Sequence, residues 1–260
     1  MASIKGAEWT FDTAVQQYEK MRPEYVPALY EDLFQYKQLD ASSHAIEVGI
    51  GGGEATLPIL KTGCSVTAVE YGRNFSELCR YKFREFSTFA VVTSKFEDFT
   101  YENNSCDLIY SATAFHWVAE EIGYQKVFEL LKSGGAFARF ANHPYKDKGR
   151  EALHQAIQKV YDIYMPNSSE GSEYDEQSAK KLAEIAEKYG FVDISYKLYH
   201  RTRTFNAAEY TALLGTYSDH MVIEEEKRKA FFAEIERVIN QFGGQITIYD
   251  TIDLQLARKP

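Results

Sequence analysis

Apolar positions along this chain change period in a regular way. From position 44 to 141, short runs that are apolar on successive residues alternate with stretches whose apolar residues recur every three or four positions. The runs predict strands at 44–49, 64–70, 88–93, 106–111 and 136–141, and the helical spacing predicts helices at 54–61, 74–84 and 120–131. Ser65-Val-Thr-Ala-Val69 and Asp107-Leu-Ile-Tyr110 carry apolar side chains toward both faces, as strands of a parallel sheet covered by helices do. Beyond 141 the pattern loosens. Residues 144–176 hold one helical stretch, Leu153, Ile157, Val160, Tyr161 and Tyr164, and read as an inserted cap. A helix at 177–189 stops at Gly190, the usual place for a terminal glycine. A strand at 191–200, a short helix at 206–214, a charged amphipathic helix at 223–241 and a strand at 245–257 follow. Before all of these, residues 8–36 read as two short helices interrupted at Arg22-Pro23, the first with Phe11, Val15 and Tyr18 on one face. Pro166 to Asp175 is the only stretch that reads as a flexible loop.

Between the first strand and the first helix lies Ala45-Ile-Glu-Val-Gly-Ile-Gly-Gly-Gly-Glu54. Glycines there allow positive φ and let a ligand approach where a Cβ would collide. A dinucleotide fingerprint counted from Gly49 and Gly51 needs a third glycine where Glu54 stands, and Glu54 at a helix start repels a pyrophosphate. A nicotinamide-dependent oxidoreductase is therefore the weaker alternative. The spacing Glu47-x-Gly49-x-Gly51-x-Gly53 resembles motif I of the class I S-adenosylmethionine-dependent methyltransferases. That resemblance implies a Rossmann-like α/β fold. Its seven-stranded sheet has order 3-2-1-4-5-7-6 with the last strand antiparallel, helices cover both faces, and residues 1–260 form a single domain with N-terminal helices 8–36 and a cap at 144–176.

Later segments extend the likeness. Glu70 ends the second strand where an acid accepts ribose hydroxyls, and Tyr71 beside it is placed to pack on adenine. Ser94-Lys-Phe-Glu-Asp-Phe99 matches the family's adenine loop with a departure: many members have an Asp for the exocyclic amine where this chain has Ser94 or Lys95, so the backbone of Phe96 and Glu97 is expected to serve. Ser111-Ala-Thr-Ala-Phe-His-Trp117 leaves the fourth strand, with Ala112, Phe115 and His116 as cofactor neighbours. It lacks both the Asn/Asp-Pro-Pro-aromatic motif of amino-methylating DNA enzymes and a Pro-Cys nucleophile. Gly134-Gly135 turns into the fifth strand. Tyr18-x-x-x-Arg22-Pro23-x-Tyr25 with Phe115-His116-Trp117 is similar to the small-molecule, type 11 branch that includes trans-aconitate-type carboxyl methyltransferases.

The resemblance implies S-adenosylmethionine as cofactor and a small-molecule acceptor as substrate. Tyr18 and Arg22 either cover the core at a helix end or close over the cofactor's carboxylate. His116 is a general base or a hydrogen-bonded wall. The polar run Thr216-Tyr-Ser-Asp-His220 either caps a loop or reaches the acceptor, with His220 as a second candidate base. Tyr25, Asn142, Tyr145, Tyr161, Tyr164 and Tyr217 are the remaining candidate acceptor contacts. A non-catalytic binder of S-adenosylmethionine or a nucleoside is the alternative from another class.

Charge and composition narrow the partners. A formal charge of -9 disfavours nucleic acid, which is gripped by Lys and Arg displacing counterions. No apolar run reaches the roughly 18 residues of a membrane span, and Met1-Ala-Ser-Ile-Lys5 lacks a signal h-region, so a cytoplasmic location without membrane attachment is expected. Cys64, Cys79 and Cys106 are far apart and read as buried thiols, and no Cys or His pair has zinc spacing.

Overall fold

The computed structural model describes Tyr18, residues 20–168 and residues 171–260. The predicted helix carrying Phe11 and Val15 lies outside these residues. Seven strands, β1 His44–Val48, β2 Ser65–Glu70, β3 Phe89–Thr93, β4 Cys106–Ala112, β5 Leu131–Lys146, β6 Val192–Asn206 and β7 Gln245–Arg258, form one sheet in the order β3-β2-β1-β4-β5-β7-β6. β1 pairs in parallel with β2 and β4, β2 with β3, and β4 with β5. β7 runs against β5: the Gly134 N–H donates to Lys259 O at 2.8 Å, the Lys259 N–H donates to Gly135 O at 3.0 Å, and farther along the Ala141 N–H reaches the Asp253 carboxylate at 3.0 Å. The mixed order anticipated from the sequence is the order observed.

The chain divides into two compact units. The sheet unit comprises Pro23–Asn142, Asp175–Tyr199 and Ile252–Pro260. Its strand residues feed two apolar layers. Ala45, Val66, Ala68, Leu108 and Tyr110 pack with the helix Pro27–Tyr36 and the helix Thr56–Leu60, while Ile46, Val48, Ile109 and Phe137 pack with the helix Glu120–Leu130. Alternation of side chains along each strand is what divides them. The second unit gathers the described part of Met1–Arg22 with His143–Tyr174 and His200–Thr251. There the helix Glu151–Tyr164 buries Leu153, Ile157 and Val160, and the helix Glu225–Gln241 buries Phe231, Ile235, Val238 and Ile239. Spacings of three and four put each set on one helical face. Among the described residues no helix is long and apolar enough to cross a membrane.

Candidate active site

The glycine-rich turn sits at the carboxyl ends of β1 and β2. Gly49, Gly51 and Gly53 all take positive φ, at 75°, 53° and 79°. A Cβ on Gly53 would lie 2.6 Å from the Phe83 ring. The turn is tied from below by the helix Arg73–Lys82: the Cys79 thiol donates to Gly51 O at 3.2 Å and Lys82 Nζ to Gly52 O at 2.7 Å. Residues three apart on a helix share a face, which is how both reach the turn. Neither had a signal in the sequence beyond that spacing.

Glu70 closes the turn from the side. Its carboxylate accepts the Gly51 N–H at 3.0 Å and the Gly72 N–H at 2.7 Å, so the acid at the end of β2 also fixes the backbone on either side of it. Tyr71 is half-exposed beside it, with Lys95 Nζ 5.3 Å above its ring. Phe96 is buried, and Lys126 lies 5.5 Å over its ring while donating to Glu97 O at 2.8 Å, which pins the 95–97 loop. Phe115 is buried 6.4 Å from the Phe96 ring, and Arg139 covers Phe115 at 4.9 Å. Ala112 ends β4, and His116 is exposed on the short 3-10 turn Phe115–Trp117.

Glu47 is the buried acid of the turn. It is 0% exposed; Oε2 accepts from Thr56 Oγ1 at 2.7 Å and from Tyr110 OH at 2.8 Å, while Oε1 has no hydrogen-bond partner. Burial pushes its carboxyl up to about 8 against the pull of those two hydrogen bonds. At the ends of β4 and β5, Tyr25 OH lies 2.6 Å from Thr113 Oγ1, which also accepts the Asn142 N–H at 3.4 Å. Thr113, absent from the sequence-based set, joins Tyr25 and Asn142 in one cluster.

The second unit holds the other candidates. The Arg22 guanidinium stacks between the rings of Tyr18, at 4.8 Å, and Tyr217, at 4.6 Å, and donates from Nη2 to Thr216 O at 2.8 Å. Its Nε is buried without an acceptor, and Arg22 forms no ion pair among the described residues. His220 is 1% exposed with both ring nitrogens engaged, Nδ1 with Asp219 Oδ1 at 2.7 Å and Nε2 with Tyr161 OH at 2.8 Å. Burial raises the Tyr161 phenol; burial also raises the Asp219 carboxyl, but the hydrogen bond and charge of His220 outweigh it and leave it below the ordinary range. Tyr164 stacks on Phe231 at 5.4 Å, and Tyr145 lies 5.9 Å beneath Lys148 Nζ.

Three positive-φ glycines with a carboxylate at the end of β2 form a cradle suited to a nucleoside without phosphates, since Glu70 offers acceptors to hydroxyls and would repel a pyrophosphate. A family model described as Methyltransferase domain matches residues 46–138. A methyltransferase of Bacillus thuringiensis is 31% identical over 157 residues, which cover 57% of this chain and 72% of that protein. One from Schizosaccharomyces pombe is 23% identical over 241 residues, covering 88% of this chain and 87% of the relative. Among solved structures, a candidate type II methyltransferase from Anaeromyxobacter dehalogenans superposes with a TM-score of 0.63 at 17% identity, covering 92% of this chain and 98% of that one. The Haemonchus contortus phosphoethanolamine N-methyltransferase 2, solved with phosphomonomethylethanolamine and S-adenosylhomocysteine, has a TM-score of 0.56 at 14% identity, covering 100% of this chain and 61% of that one.

This chain belongs to the class I S-adenosylmethionine-dependent methyltransferases. Its cofactor is S-adenosylmethionine, and the nicotinamide alternative falls with the missing third glycine.

Proposed function

We propose that this methyltransferase acts on a small-molecule acceptor, at an oxygen, nitrogen or carboxylate. The observation that carries the reading is the acidic balance of the chain, 38 Asp and Glu against 29 Lys and Arg, which offers little to a polyanion. Aromatic side chains with polar tips in the second unit are in keeping with it: Tyr161 OH meets His220 Nε2 at 2.8 Å, the Tyr217 ring lies 5.9 Å from the His220 ring, and Tyr164 stacks on Phe231.

When bound, S-adenosylmethionine supplies an electrophilic methyl group on a sulfonium. Gly49, Gly51 and Gly53 would leave the backbone open to it, the Glu70 carboxylate would accept from its ribose hydroxyls, and Tyr71, Lys95, Phe96, Glu97, Ala112, Phe115 and His116 would line its nucleoside. Phe96 and Phe115 keep water from that side, which strengthens every electrostatic contact there. Arg22 is the candidate partner for a ligand carboxylate. Holding the acceptor in line removes about 7 to 11 kcal/mol of entropic barrier in well-oriented systems, and a carboxylate acceptor needs no base. An acceptor that carries a proton would pass it to His116, exposed on the 3-10 turn Phe115–Trp117.

The test is a metabolite screen with S-adenosylmethionine for products heavier by one CH2 group, run beside a control panel of RNA and protein substrates. Methylation confined to the macromolecules would overturn the small-molecule reading. Glu70→Ala is expected to weaken cofactor binding by about 1.5 to 3 kcal/mol in calorimetry, and unchanged affinity would remove Glu70 from the site.

A further inference from the structure

Thr113 stands one residue beyond β4 with φ at 53°. A β-branched side chain rarely takes this left-handed conformation, so something must hold it there. Three hydrogen bonds do. The Thr113 N–H donates to Phe140 O at 2.8 Å, Oγ1 accepts the Asn142 N–H at 3.4 Å, and Oγ1 shares a hydrogen with Tyr25 OH at 2.6 Å. Tyr25 is in turn set by its ring, which meets Phe140 edge-on with centroids 4.8 Å apart. All these residues belong to the sheet unit.

The kink has a geometric result. It turns the next residue, Ala114, against the first glycine of the cofactor turn, so closely that a Cβ on Gly49 would fall 2.4 Å from Ala114 Cβ. From Ala114 the chain enters the 3-10 turn, with the Trp117 N–H on Ala114 O at 3.0 Å, and this turn carries Phe115 and His116. The conformation of one threonine therefore sets both the packing on Gly49 and the start of the segment that carries Phe115 and His116.

We propose that Tyr25 and Thr113 form a latch for cofactor binding: the hydroxyl pair keeps Thr113 left-handed, Thr113 seats Ala114 on Gly49, and the glycine turn is thereby held in its receptive shape. Thr113 is a positioning residue, acting through Ala114 and Gly49. Tyr25, read from the sequence as an acceptor contact, is here the other half of the latch.

S-adenosylhomocysteine titrated calorimetrically into the full chain tests this, with the melting temperature recorded for each variant. Tyr25→Phe and Thr113→Val are each expected to weaken binding by about tenfold, and the double variant by no more than the worse single one, because the pair acts as a unit. Thr113→Ser keeps the hydroxyl and should stay within about twofold of the unaltered chain. Thr113→Gly removes the hydroxyl but accepts positive φ without strain, so it should bind more tightly than Thr113→Val. If Thr113→Gly binds as weakly as Thr113→Val, the hydroxyl contacts the ligand directly and the latch is wrong. Unchanged affinity in Tyr25→Phe also overturns it, and that substitution avoids any folding defect at Thr113 itself.

Discussion

At the scale of single residues, Glu47 makes the stability of the turn depend on pH. Its carboxyl is raised from 4.5 to about 8, chiefly by burial. The folded chain thus keeps a proton on Glu47 over a range where the unfolded chain has lost it, and stability is full below about pH 4.5 and declines until about pH 8. At about 1.4 kcal/mol per unit, the loss reaches about 4 to 5 kcal/mol. Glu47→Gln should remove this decline, its amide oxygen accepting from Thr56 and Tyr110. Urea unfolding at pH 5 and pH 8 is the check, and parallel pH dependence in the two proteins would refute the assignment. His220 gives a second prediction. Because it joins Tyr161 to Asp219 inside the second unit, His220→Ala should destabilise by about 2 to 4 kcal/mol, through a cavity and two stranded polar partners. A loss below about 0.5 kcal/mol, the range of surface substitutions, would show the network to be slack. The polar run from Thr216 to His220 was visible in the sequence, but its inward orientation was not. A helix as short as Ser218–Met221 has no periodicity from which to read a face.

At the scale of elements, the strands β1 to β4 were legible within one or two residues, because apolar runs bounded by Gly, Asn and Asp have few other readings. β5 was not. It starts at Leu131 and runs to Lys146, although Lys132-Ser-Gly-Gly135 looks like a turn and His143-Pro-Tyr145 breaks the apolar run. Neighbouring strands extend it where side-chain pattern says nothing. The helix predicted at 177–189 is two pieces, Glu176–Ala183 and the 3-10 segment Glu184–Tyr189, ended by Gly190 at φ 86° as anticipated. The kink at Thr113 and the ties from Cys79 and Lys82 to the glycine turn depend on backbone conformation, which composition does not encode. Two glycines separate space from conformation. Gly53→Ala meets both positive φ and the Phe83 ring, and should cost about 2 to 4 kcal/mol. Gly134→Ala also has positive φ, but no atom lies within 4 Å of its added Cβ, so it should cost only about 1 kcal/mol. Equal costs in urea titrations would mean that the contact with Phe83 is relieved without penalty.

At the scale of the molecule, the turn, Glu70, the 95–97 loop and the latch all belong to the sheet unit. Hydrogen exchange with S-adenosylhomocysteine present should therefore gain protection at residues 45–54, 70–72 and 94–97. Additional protection around Arg22 would place that residue on the ligand, and its absence there would count against the carboxylate role. The order of the strands has a consequence for how the chain is made. β5 meets β7 across a separation of 124 positions, as the bond from Arg258 Nη1 to Gly134 O shows. Closing so long a loop is slow, because its entropy must be lost before any contact compensates. On the ribosome, β1 to β5 emerge well ahead of residues 252–260, and one edge of β5 meanwhile offers unpaired amides and carbonyls to any passing strand. Newly synthesised chains should therefore depend on chaperones that shield such an edge, and substitutions that weaken β7 should lower yield in cells more than they lower the melting temperature of chains already folded.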